Sequence, residues 1–123
     1  MVSFANPTCR IEFIGNSITC GYGNDTSIAA PPSGNPSSGF TSKHENNYKA
    51  WGYVAARKLG MQYSAVSYSG RGLYRNNDAS TAGVLPSIYD RIYPDNSSLP
   101  TWSHTAYRLN YIVIDLGTND FYP

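Results

Sequence analysis

Two residues of this 123-residue chain stand where chemistry is done in an open sheet, Ser17 and Asn119. Ser17 lies in Ile11-Glu12-Phe13-Ile14-Gly15-Asn16-Ser17-Ile18-Thr19, where an apolar run stops at a glycine and delivers a hydroxyl. A second apolar run, Tyr111-Ile112-Val113-Ile114-Asp115-Leu116, stops the same way at Gly117-Thr118-Asn119-Asp120 and delivers a carboxamide. The ends of buried parallel strands are where open α/β sheets place their ligands. The pair therefore points to a nucleophile and a donor for the oxyanion formed when an ester carbonyl is attacked. On local context alone, a serine in such a place is more often a helix cap or turn residue, and Asn119 could cap a turn. The pentapeptide ends in Thr19, so it is not a Gly-x-Ser-x-Gly elbow, and no Gly-Lys-Ser/Thr follows to make a phosphate loop.

Holding both groups at one edge requires parallel strands joined by crossovers, and the intervening sequence reads that way. Gly21 to Glu45 is rich in Gly, Ser, Pro and Asn, a loop long enough to be functional, leaving from the serine's end of the sheet. Trp51, Val54, Ala55 and Leu59 then fall on one helical face, with Trp51 expected in the core. Arg57 and Lys58 sit in the last turn of this helix, and Gly60 is placed to end it. Gln62 to Ser67 reads as a second strand ending at a glycine block. Leu85, Ile88, Tyr89 and Ile92 mark a second helix, with Pro86 near its start and Pro94 beyond its end. The order strand, loop, helix, strand, helix, strand gives a parallel sheet with helices on its faces.

Three short blocks, in order, carry a family resemblance. Gly15-Asn16-Ser17-Ile18-Thr19 resembles the first block of the SGNH (GDSL-like) hydrolases, Ser69-Gly70-Arg71-Gly72 their glycine block, and Gly117-Thr118-Asn119-Asp120 their Gly-x-Asn-Asp block. The extended forms, Ile11 through Gly23 and Tyr68 through Asn76, are most similar to the carbohydrate esterase family 2 branch, whose members resemble acetyl xylan esterases. The resemblance runs from about Arg10 to Phe121. It implies a flavodoxin-like three-layer α/β/α fold with the first strand between the second and third. It also implies a Ser17 nucleophile and an oxyanion hole built from the N–H groups of Ser17 and Gly70 and the side-chain amide of Asn119. Each such donor is worth roughly 3–4 kcal/mol of transition-state stabilisation. Acetylated polysaccharide as substrate and an extracellular setting follow from the same resemblance.

Asn16 departs from the aspartate usual in that family. Asparagine still accepts a hydrogen bond and adds donors, but loses the charge. Tyr22, Tyr74 and Phe121 lie just after the three blocks, where aromatic faces could hold a sugar ring or simply pack at the rim. The family's fourth block, commonly Asp-x-x-His near the end of the domain, is not found. His44 and His104 are the only histidines, and Thr41 and Thr101 stand three residues before them. Lone loop histidines are usually solvated. The expectation is that residues 1–123 form the N-terminal part of a single catalytic domain, C-terminally truncated, inactive alone, with its third strand unpaired along the outer edge and apolar surface exposed.

Composition narrows the alternatives. A net charge of +1 without a basic run gives no footprint for nucleic acid. No segment approaches the roughly 18 apolar residues of a membrane span, and the N-terminus lacks the pattern of a signal peptide. There is no clustered ligand set for a metal, and no organic cofactor is implied. Cys9 and Cys20 flank the first strand and are expected as free thiols, too far apart to bridge. Asn24-Asp25-Thr26 and Asn96-Ser97-Ser98 fit the glycosylation pattern. Two other readings stay open: an SGNH hydrolase of lipase or thioesterase type, and a carbohydrate-binding relative without catalysis.

Overall fold

The computed structural model describes residues 9–25, 27 and 40–122. Residues 1–8, the Pro/Ser/Gly stretch of the long loop (28–39), Thr26 of the first glycosylation triplet and Pro123 lie outside the described residues. Strands β1 (Arg10–Gly15), β2 (Gln62–Ser67) and β3 (Tyr111–Asp115) form one parallel sheet in the order β2-β1-β3. Gly15 is in register with Ser67 on one side and Asp115 on the other, so all three strands stop at the same level. Helices α1 (Ser17–Cys20), α2 (Trp51–Lys58) and α3 (Leu85–Ile88) complete the α/β fold. The central position expected for the first strand is observed.

β1 is buried from Ile11 to Gly15, and its alternation divides the core in two. Ile11 and Phe13 face α2 and pack with Ala56, while Ile14 faces α3 and packs with Leu85 and Ile88. α2 ends where the sequence indicates, because the Met61 N–H bonds to the Ala56 carbonyl and the Gly60 N–H to that of Arg57, a Schellman pair closed by left-handed Gly60. Its packed side is narrower than the expected stripe. Gly52 and Ala56 are buried, Leu59 is exposed, and Trp51 stands 39% exposed at the core's margin, edge-on to Phe13 at 4.9 Å.

The second helix is shorter than its periodicity implied. α3 stops at Ile88, and Ile92 is exposed. Competing backbone bonds explain this: Arg91 forms an antiparallel bridge with Thr101, Trp102 N–H donates to the Asp90 carbonyl, and the Arg91 guanidinium holds the Pro94 carbonyl. Those bonds take residues 90–94 away from a helical path.

The apolar strand β1 also hides a carboxylate. Glu12 is 1% exposed on the α3 face and accepts hydrogen bonds from Ser64 Oγ at 3.0 Å and Tyr89 Oη at 2.7 Å. A buried carboxylate is tolerable only with such donors. Burial, and then the bond to Glu12 and its charge, push the Tyr89 phenol up to about 12. Beyond this pair the α3 face thins out. Ile112 and Ile114 on β3 are more than half exposed, and among the described residues β3 pairs only with β1. Cys9 and Cys20 are free thiols. No described helix is long and apolar enough to cross a membrane.

Candidate functional site

The turn carrying Ser17 is held by its own neighbours. Asn16 is buried, and its Oδ1 accepts the Ile18 N–H at 3.0 Å, capping α1 so that Ser17 is the first helical residue. An aspartate would cap the same N–H, so asparagine preserves the hydrogen bond that orders the turn. Thr19 folds back over the strand end, and a Cβ on Gly15 would overlap its hydroxyl, which explains a glycine two residues before Ser17. Ser17 itself is partly exposed just beyond the sheet's C-terminal edge.

The other two blocks are tied to each other over long sequence separations. Gly70 follows β2 by three residues in a left-handed conformation (φ 80°), and its carbonyl accepts the Asn77 N–H at 2.9 Å. Asn119, 8% exposed, follows β3 by four residues and donates through Nδ2 to the Arg71 carbonyl at 2.7 Å. One of its two N–H groups is thus committed to the glycine block, leaving one for another acceptor. The next residue, Asp120, accepts three backbone N–H groups: Leu73 at 2.9 Å, Tyr74 at 2.6 Å and Arg75 at 3.0 Å. Burial pushes the Asp120 carboxyl up, but the N–H groups of Leu73, Arg75 and Tyr74 together outweigh it and hold the carboxyl below its ordinary range. Sequence inspection gave Asp120 no role. Its signal was its place in the third block; its partners are more than forty residues away.

Glu45 is a second residue missed from sequence. Tyr22, just after the first block, bridges to Glu45, whose carboxylate accepts the Ser69 hydroxyl beside Gly70. The two ends of the long loop therefore meet between the first and second blocks. Two small clefts of about 180 and 210 Å³ share Ser69, Gly70 and Asn77, one of them walled by Phe40. Tyr22 packs against Phe40 at a tilt, ring centroids 5.2 Å apart, while Tyr74 and Phe121 are 79% and 89% exposed. All three of the aromatics that follow the blocks are exposed rather than in the core.

The histidines depart from the solvated state expected of them. His44 is buried, its carbonyl accepting the Gly23 and Asp25 N–H groups and its ring 6.5 Å from that of Tyr22. His104 stacks on Tyr89 at 4.7 Å on the α3 face. The Nε2 atoms of both rings are buried, with no hydrogen-bond partner among the described residues.

Comparison with known proteins bears on this arrangement. No family model matches the chain. It is 38% identical over 112 residues to the cellulase/esterase CelE of Acetivibrio thermocellus, covering 91% of this chain and 13% of that protein. It is 30% identical over 118 residues to an acetylxylan esterase / glucomannan deacetylase of Cellvibrio japonicus, covering 95% of this chain and 31% of that one. A family two carbohydrate esterase from Clostridium thermocellum, solved in complex with cellohexaose, superposes with a TM-score of 0.77 at 34% identity, over 94% of this chain and 33% of that one. The homologues are family 2 carbohydrate esterases. The chain spans about a third or less of their length.

Proposed function

We propose that this chain supplies the nucleophile and the oxyanion donors of a serine esterase that removes acetyl groups from xylan-type plant polysaccharide outside the cell. The observation that carries the reading is that the strands preceding Ser17, Gly70 and Asn119 end at one level of a parallel sheet, in a chain similar to acetylxylan esterases. Ser17 Oγ attacks the acetyl carbonyl and gives its proton to a base. The N–H groups of Ser17 and Gly70 and the free N–H of Asn119 stabilise the oxyanion. The sugar hydroxyl leaves with the proton, and water then releases acetate from the serine. We assign the base to a histidine outside residues 1–123, since the Nε2 atoms of His44 and His104 are buried away from solvent. Tyr22, Tyr74 and Phe121 form the aromatic rim that receives the glycan.

A second reading is glycan binding without turnover, favoured by the complex of a relative with cellohexaose. Acetate release from acetylated xylan and from an aryl acetate, measured on the protein as its gene encodes it, separates the two. The esterase reading expects turnover that Ser17→Ala abolishes. Binding of cellohexaose with no acetate released by the wild type would replace it with the second reading.

A further inference from the structure

The contacts between the second and third blocks form a ladder in sequence order. Arg71 gives its carbonyl to Asn119, and residues 73–75 give consecutive N–H groups to Asp120. Gly72 stands between them with no room for a side chain, since a Cβ there would lie 2.7 Å from Asp120 Oδ2. The Arg75 guanidinium continues the ladder to the Tyr122 carbonyl. Two adjacent residues of the third block thus grip four residues of the extended second block, Arg71 through a carboxamide and Leu73, Tyr74 and Arg75 through a carboxylate.

We propose that Asp120 is a positioning residue for the oxyanion hole: by holding the Leu73, Tyr74 and Arg75 N–H groups it fixes the glycine-block loop against the Asn119 turn, and so sets the separation of the Gly70 N–H from the Asn119 amide. The chemistry suits the task. A carboxylate presents acceptors on both oxygens, and here Oδ2 takes Leu73 while Oδ1 takes Tyr74 and Arg75. A carboxamide of the same shape has one acceptor oxygen and turns an NH₂ donor toward at least one of those N–H groups. The anchored loop also carries Tyr74, so the same contact orients an aromatic of the rim.

This proposal rests on the esterase reading, and Ser17→Ala tests that reading separately. In the full gene product, Asp120→Asn should lower kcat by about tenfold, less than the 10²–10³-fold expected for removing a donor outright. KM should change by less than about threefold, with kcat counted per serine titrated by a fluorophosphonate so that misfolded protein does not enter the figure. A merely structural role would reduce the titrated fraction and leave kcat per active serine unchanged. Independently of activity, the backbone amide protons of Leu73, Tyr74 and Arg75 should shift upfield together in Asp120→Asn relative to wild type. Unchanged kcat per titrated serine in a protein whose Ser17→Ala variant is inactive would overturn the role of Asp120 alone, as would unshifted amides. A Ser17→Ala protein that keeps wild-type turnover would overturn the esterase reading and this proposal with it.

Discussion

The Ser17 turn and the Gly70–Asn119 pair sit at the same edge of one sheet but are held in opposite ways. Ser17 is fixed by residues beside it in sequence: the Asn16 cap on Ile18 and the close approach of Thr19 to Gly15. Gly70 and Asn119 are fixed by bonds joining residues 45 to 48 positions apart, from Arg71 to Asn119 and from residues 73–75 to Asp120. A locally built turn can present a hydroxyl before the rest of the domain is complete. The proposed oxyanion hole, assembled from two distant loops, requires β2 and β3 both docked on β1.

Substitutions can break that contrast, beginning with the largest effect. Ser17→Ala should lower kcat by about 10⁴-fold or more while leaving the unfolding midpoint near wild type, because no hydrogen bond among the described residues uses its hydroxyl. Initial-rate assays beside thermal unfolding give both readings. Asn119→Ala should lower kcat by about 10²–10³-fold and also destabilise the fold, since it removes an oxyanion donor and the bond to the Arg71 carbonyl together. Stability and catalysis should therefore move together at Asn119 and apart at Ser17. A stable Asn119→Ala protein with full activity would erase the distinction.

The smaller effects sharpen it. Tyr89→Phe removes one of two donors to the buried Glu12 carboxylate and should destabilise by about 1–3 kcal/mol in chemical denaturation, without touching the site. The same phenol supplies a pH test. Its folded pKa, about 12, lies above the ordinary value of 10.0, so the neutral phenol is favoured on folding. Its contribution to stability should be complete below pH 10 and lost as pH rises toward 12. Difference titration at 295 nm against Tyr89→Phe would show one phenol ionising late. Asn16→Ala should cost about 1 kcal/mol as a lost cap, whereas Asn16→Asp, which keeps the acceptor, should change stability by less than about 0.5 kcal/mol.

The same contrast explains what the sequence disclosed. β1, β2, β3 and the end of α2 were legible because apolar runs that stop at glycine blocks and a C-capping glycine are local signals. Ser17 was legible for the same reason, as a hydroxyl set just past a strand. Glu12 was hidden because a single acidic letter inside an apolar run does not announce that Ser64 and Tyr89 will meet it. The end of α3 at Ile88 depended on a bridge to Thr101, and the burial of His44 on bonds to the far side of the long loop. Asp120 and Glu45 escaped notice because their function is to join segments, and joining leaves no periodicity.

The most direct test of the central claim is covalent capture. The full gene product, treated with a fluorophosphonate and digested, should carry one adduct, on the peptide that contains Ser17, and should lose acetate release in proportion to labelling. Acetate release that persists with Ser17 fully labelled, or an adduct on another residue that tracks the loss of activity, would contradict it.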